Sequence, residues 1–289
     1  MIHFDKCSKF YDDFGEQKII EKVINDFTLR TNLNTLQTVY IFNAIPNRPI
    51  AEGLTLPIIN SSLCTMQLEL YFSDNLFDKF FLPLNKEALH IIHHEFCHCK
   101  ACELIYSKST AFEFHLLGEE QHTREELIFD LAFFLYGEYY ACYHSYASYI
   151  DLNTKVLLKD YAKKAHQDLD VFKVLLSDID DNSIANAYYL TNKNIKKLFY
   201  HFVHELAYYH ASDKTILSKE ISELINMPKT EFGSWSLLVE SKILELNTIG
   251  IENLTYDMYI DLGETIFSVY NNYGIKITNK DGSIHFETM

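Results

Sequence analysis

Apolar positions along the chain change period several times, and the changes mark out its elements. From Glu16 to Leu29, residues Ile19, Ile20, Val23, Ile24 and Phe27 recur at helical spacing. Leu36 to Ala44 (LQTVYIFNA) is rich in β-branched and aromatic residues and predicts a strand, closed by Pro46 and Pro49. Leu54 to Ile59 predicts a short strand. Cys64 to Phe72 alternates through Met66, Leu68, Leu70 and Phe72, the pattern of a strand with one polar face. Asn60, Ser61 and Ser62 supply the turn between these two. After the proline-broken apolar stretch from Phe77 to Leu84, Asn85 can cap a helix that runs to about Tyr106. On that helix Ile91, His94, Glu95, His98 and Cys102 share one side, and Leu89, Ile92, Phe96 and Cys99 the other. Only a strip with His93, Cys97 and Lys100 is left for solvent, so the helix should be packed on both sides.

Residues 107–122 show no clear period. Thr123, followed by Glu125 and Glu126, starts a second long helix, to about Ile150, with a core stripe of Leu127, Leu131, Phe134, Leu135, Cys142 and Tyr149. Beyond Asp151 the pattern is helical almost throughout, over 153–165, 167–177, 184–210, 214–226, 233–247 and 255–273. A hairpin from Ile275 to Phe286 turns around Asn279-Lys280-Asp281-Gly282-Ser283. The predicted fold class is α+β and predominantly helical. A half with a small sheet spans 1–150, and a mainly helical half spans 151–289 and closes a cleft.

Composition narrows the function classes. A chain of 289 residues, 48% hydrophobic and 22% charged, reads as soluble and globular, and nine Gly and five Pro are few enough to favour helix. A formal net charge of −15 argues against nucleic acid or an anionic membrane surface as the main partner. The N-terminal segment Met1 to Phe14 lacks the apolar run of a signal peptide. The most apolar run, Leu127 to Tyr136, contains Asp130 and is too short to span a bilayer. Six scattered Cys fit reduced thiols in a cytoplasmic protein. Cys97, Cys99 and Cys102 point in different directions on one helix, and their spacing does not match a zinc knuckle.

The chemistry concentrates at His94-Glu95-Phe96-Cys97-His98, a full H-E-x-x-H match. With 13 His and 40 acidic residues in the chain, random placement supplies at most about 0.08 such matches. On a helix the two imidazoles lie one turn apart and can grip one metal ion, with the Glu in reach of a metal-bound water. Glu138 is the second signal. It sits in the middle of the apolar stripe of the next helix, where a carboxylate is costly unless paired or bound to a metal. Gly137 beside it would let another helix approach closely. Glu119 and Glu120, or a His such as His115 or His122, are alternatives for the third ligand.

His94-Glu95-x-x-His98, with a downstream helix bearing Glu138-Tyr139-Tyr140-Ala141, resembles the zincin metallopeptidases, specifically the gluzincin branch. The resemblance covers roughly residues 35–150. It implies His94, His98 and Glu138 as ligands of one zinc ion, and Glu95 as the general base that activates a metal-bound water. It also implies a small sheet before the motif helix, whose edge strand lies along the substrate cleft. The activity implied is zinc-dependent hydrolysis of a peptide or protein substrate. A tetrahedral oxyanion also needs a donor. Tyr139, Tyr143 and His144 are candidates on the Glu138 helix, and His201, His204, Tyr208 and Tyr209 on a later one, where His204-Glu205-Leu206-Ala207-Tyr208 could present His204 and Tyr208 to one point. Cys102, one turn beyond His98, is a candidate neighbour of the metal. The pattern holds no clear carboxylate to orient a ligand His. The alternative from another class is a zincin-like metal-binding regulatory or partner-binding protein without turnover. A further alternative is a metal-dependent hydrolase of a non-peptide amide.

Overall fold

Strands β1 (Ile2–Phe4), β2 (Leu36–Phe42), β3 (Gly53–Asn60) and β4 (Thr65–Ser73) form one sheet in the order β1-β2-β4-β3. The structure is a computed structural model. It describes residues 1–45, 52–60, 63, 65–78, 86–107, 123–146, 154–178, 180–211, 231–280 and 283–289. β1 pairs parallel to β2 and β2 parallel to β4, whereas β3 runs antiparallel to β4 with Thr55 opposite Leu70. β1 has only three residues, too short a run to stand out in the sequence.

Helix α1 (Phe14–Thr31) connects β1 to β2. Asp13 caps its start by accepting from the amides of Gly15 and Glu16, both at 3.0 Å, and Asn32 ends it in the left-handed conformation, φ 51°. A short helix α2 (Asp74–Asp78) follows β4, and α3 (Lys86–Ile105) carries the His motif. One core holds these parts together: Ile20, Ile24 and Phe27 of α1, Val39, Ile41, Leu68, Leu70 and Phe72 of the sheet, and Ala88, Ile92, Phe96 and Cys99 of α3. Strand alternation sends these sheet residues to one face. The other face carries Tyr40, Phe42 and Tyr71, stacked at 4.9–6.0 Å between centroids.

The remaining described elements are α4 (Arg124–Ser145), α5 (Thr154–Leu175), α6 (Asp181–Ala211), α7 (Glu231–Ile249), a 3-10 turn (Ile251–Asn253), α8 (Tyr256–Asn272) and the hairpin β5 (Ile275–Lys280) with β6 (Ser283–Thr288). The class is α+β and predominantly helical. Thr123 and Glu126 form a capping box at the start of α4: Glu126 Oε2 accepts the Thr123 amide at 2.9 Å and Thr123 Oγ1 accepts the Glu126 amide at 3.2 Å. α5 is one helix where two were expected, because Ala162, Ala165, Leu169 and Phe172 make a single buried stripe and nothing at His166 breaks it. The helix expected over 214–226 lies outside the described residues.

The chain divides into two compact units: Met1–Leu116 with Tyr140–Asp151, and Leu117–Tyr139 with Leu152–Met289. The second boundary falls inside α4, whereas the sequence suggested one division near 150. α5 and α6 pair antiparallel: Tyr161 stacks on His201, and Phe172 meets Tyr188. α8 meets the first half of α4 at Gly263, where an added Cβ would lie 2.6 Å from the Ile128 carbonyl oxygen, so only glycine allows this approach. Gly137 plays no such part, because a Cβ there would meet nothing within 4 Å. Two expectations about faces are also corrected. Cys97, assigned to a solvent strip, is buried, and Phe134, assigned to the core, is half exposed.

Candidate metal centre

Burial of Ala88, Ile92, Phe96 and Cys99 against the sheet sets the rotation of α3. His94 and His98 lie outside that core, half-buried and one turn apart. Their Nε2 atoms are 2.9 Å from each other and their rings meet edge to face at 4.6 Å. Tetrahedral zinc, with bonds of about 2.0–2.1 Å, holds two nitrogens roughly 3.3 Å apart. A small opening of the two side chains therefore accommodates an ion.

Glu138 completes the group. Ligand atoms of His94, His98 and Glu138 all lie within 4.8 Å of one another, and the three could hold a metal ion. α4 is a continuous helix, so Glu138 keeps a fixed place one turn before Cys142, whose sulfur is 3.7 Å from His94 Nδ1. Glu138 is buried, and His204 Nε2 lies 2.9 Å from its Oε2. That partner meets the cost that a buried carboxylate would otherwise carry.

Glu95 faces the edge strand. Thr55 of β3 donates from Oγ1 to Glu95 Oε2 at 2.9 Å and sits 3.0 Å from the Glu95 carbonyl oxygen. Two residues earlier, a Cβ on Gly53 would lie 2.6 Å from Glu95 Cγ. Any larger residue here would push against the Glu95 side chain as β3 crosses it.

The other candidates separate. Tyr139 is fully buried, its hydroxyl 2.9 Å from His210 Nδ1, and His210 Nε2 is 3.1 Å from Glu240 Oε1. His204 is engaged with Glu138, with Tyr208 buried beside it at 6.3 Å between rings. His204 Nε2 thus meets Glu138, and the Tyr208 ring lies beside the His204 ring. Tyr143 is half-buried with its ring 5.2 Å from His144, and His144 also packs on Tyr140 at 4.2 Å. His201 stacks on Tyr161 at 5.2 Å, and Tyr209 packs on His210 at 5.5 Å. Burial, then the nearby His204 and Lys197, lowers the His201 pKa. Burial, then Arg30, His144 and His94, does the same to His93. Glu119, Glu120, His115 and His122 lie outside the described residues.

Cys102 packs against the sheet core and burial pushes its thiol pKa up to about 12. The thiol beside the metal group is Cys142 instead. In the sequence Cys142 belongs to the apolar stripe, and nothing marks Thr55. The spacing Glu138-x-x-x-Cys142 was the available signal for the first; a lone strand Thr carries none for the second. Comparison with protein-family models, with curated proteins and with solved structures finds no match to this chain.

Proposed function

We propose that this protein is a cytoplasmic, zinc-dependent peptidase of gluzincin type, with His94, His98 and Glu138 holding one zinc ion and Glu95 as general base. One observation carries the reading: two imidazole nitrogens and a buried carboxylate converge from α3 and α4. Two imidazoles and one carboxylate suit zinc and leave a coordination position open. When bound, such an ion supplies Lewis acidity, which acidifies water and polarises a scissile carbonyl.

The chain's own residues account for the rest. Glu95 takes the proton of the attacking water on Oε1 and passes it to the leaving amine, while Thr55 holds Oε2 in place. His204 steadies Glu138 through the oxygen it contacts. With Tyr139 tied to His210 and His204 to Glu138, Tyr143 and His144 are the candidates left on α4 for donating to the oxyanion. Among the described residues β3 ends the sheet, beside Glu95. An edge strand can add an extended peptide through its backbone groups, which favours a peptide or protein over a compact amide as substrate. Among the described helices, none is long and apolar enough to cross a membrane.

The test is metal analysis joined to hydrolysis of an unfolded protein substrate. The purified chain should hold about one zinc, the expected stoichiometry for a three-ligand catalytic site, and lose it in a His94→Ala/His98→Ala double variant. Glu95→Gln should keep the metal and lose hydrolysis. No zinc in the natural protein would overturn the reading. Zinc without hydrolysis by the natural protein would point to a metal-stapled binding protein.

A further inference from the structure

We propose that Cys142 is the positioning residue of His94, its sulfur accepting the Nδ1 proton and so presenting Nε2 to the metal. The inference rests on the metal-centre reading above and adds to it the group that orients its first ligand. A His that binds metal through Nε2 must carry its proton on Nδ1. The group facing Nδ1 therefore decides how firmly that tautomer and ring orientation are held. In this protein it is a sulfur, 3.7 Å away and within the range of sulfur hydrogen bonds.

Three features support the assignment. Cys142 is fully buried, so its sulfur is held in place by the packing around α4. Cys142 follows Glu138 by one helical turn, so one face of α4 offers a ligand and, beside it, the group behind another ligand. Cys97, Cys99 and Cys102 are committed elsewhere: Cys99 and Cys102 pack in or against the sheet core, and Cys97 is buried on α3 itself. A thiol sulfur is a weaker acceptor than the carboxylate that more often supports a zinc-bound His. The arrangement therefore holds the metal less tightly than a carboxylate in the same place would.

The experiment measures zinc affinity of the full chain by competition with a chelator of known affinity, together with thermal unfolding of the metal-free protein. Cys142→Ala and Cys142→Val should each weaken zinc binding about 10- to 100-fold, the usual cost of losing a group that orients a ligand. Cys142→Ser keeps an acceptor and should stay within about threefold of the natural protein. Val fills the space that Ala empties, so a shared loss in both reports the lost acceptor and not a cavity. The metal-free unfolding midpoint identifies any variant whose fold has suffered. Zinc affinity unchanged in a folded Cys142→Val protein would overturn the assignment, as would a Cys142→Ser protein as weak as Cys142→Ala. If the natural protein binds no zinc, the metal centre itself fails and this inference with it; zinc bound equally by all four proteins would overturn only the role of Cys142.

Discussion

Gly53→Ala places one methyl group against Glu95, the proposed general base, and tests how closely β3 controls it. The backbone at Gly53 is not left-handed, since the glycines with positive φ among the described residues are Gly250 and Gly274. Alanine is therefore admissible conformationally, and in a strand it should by itself stabilise by roughly 0.5–1 kcal/mol. The contact opposes it. The new Cβ would lie 2.6 Å from Glu95 Cγ and 3.2 Å from Cδ and Oε1, where ordinary contact begins at 3.4 Å. One of the two must move by about 0.8 Å, and a misplacement near 1 Å costs about 100-fold in rate. The helix that bears Glu95 is locked by Ile92, Phe96 and Cys99 in the core. The carboxylate side chain should therefore give way and lose its bond to Thr55. The expected result is a fall in kcat of about 100-fold, or about 2.7 kcal/mol of barrier, with zinc content unchanged. Steady-state hydrolysis and metal analysis on the same preparation read both. A Gly53→Ala protein with full zinc and natural turnover would refute the placement of Glu95 as base beside this strand.

Three further outcomes follow from named contacts. His204→Ala removes the partner at 2.9 Å from Glu138 Oε2; zinc affinity should weaken about 10- to 100-fold, measured by chelator competition, and an unchanged value would deny His204 its supporting role. Tyr139→Phe leaves the buried His210 nitrogen without its hydroxyl partner and should cost about 1–3 kcal/mol of stability with little effect on turnover; denaturant unfolding showing no loss, together with a collapse of kcat, would instead make Tyr139 the oxyanion donor. Burial lowers the His201 pKa. The unfolded chain therefore takes up this proton first as pH falls below about 6.5, and the stability present above that pH is lost as pH drops through the lowered folded value. Unfolding midpoints should fall between pH 7 and 5, and His201→Gln should flatten the slope; an unaltered slope would remove His201 from the account.

Local pattern was enough for much of the architecture. The strands at β2, β3 and β4 and the helices α1, α3, α4, α6, α7 and α8 all appear where apolar periodicity places them, because burial of one face is what selects each period. The pattern failed where it depended on what lay opposite. Gly137 looked like a helix contact and is open, whereas Gly263, which the pattern did not mark, touches the backbone at Ile128. Phe134 continued the stripe of α4 yet is half exposed, because a helix stripe records spacing and not how far the neighbouring surface extends.

By itself the sequence determined the motif His94-Glu95-x-x-His98, and the oddity of Glu138 in an apolar stripe, because spacing along one helix and the cost of a buried charge are local properties. Only the tertiary structure brought Glu138 within 4.8 Å of both imidazoles, set Thr55 and Gly53 against Glu95, and put a cysteine behind His94. Those placements join residues about 40 or more positions apart. They depend on how side chains pack between a strand and two helices, which no period along the chain encodes.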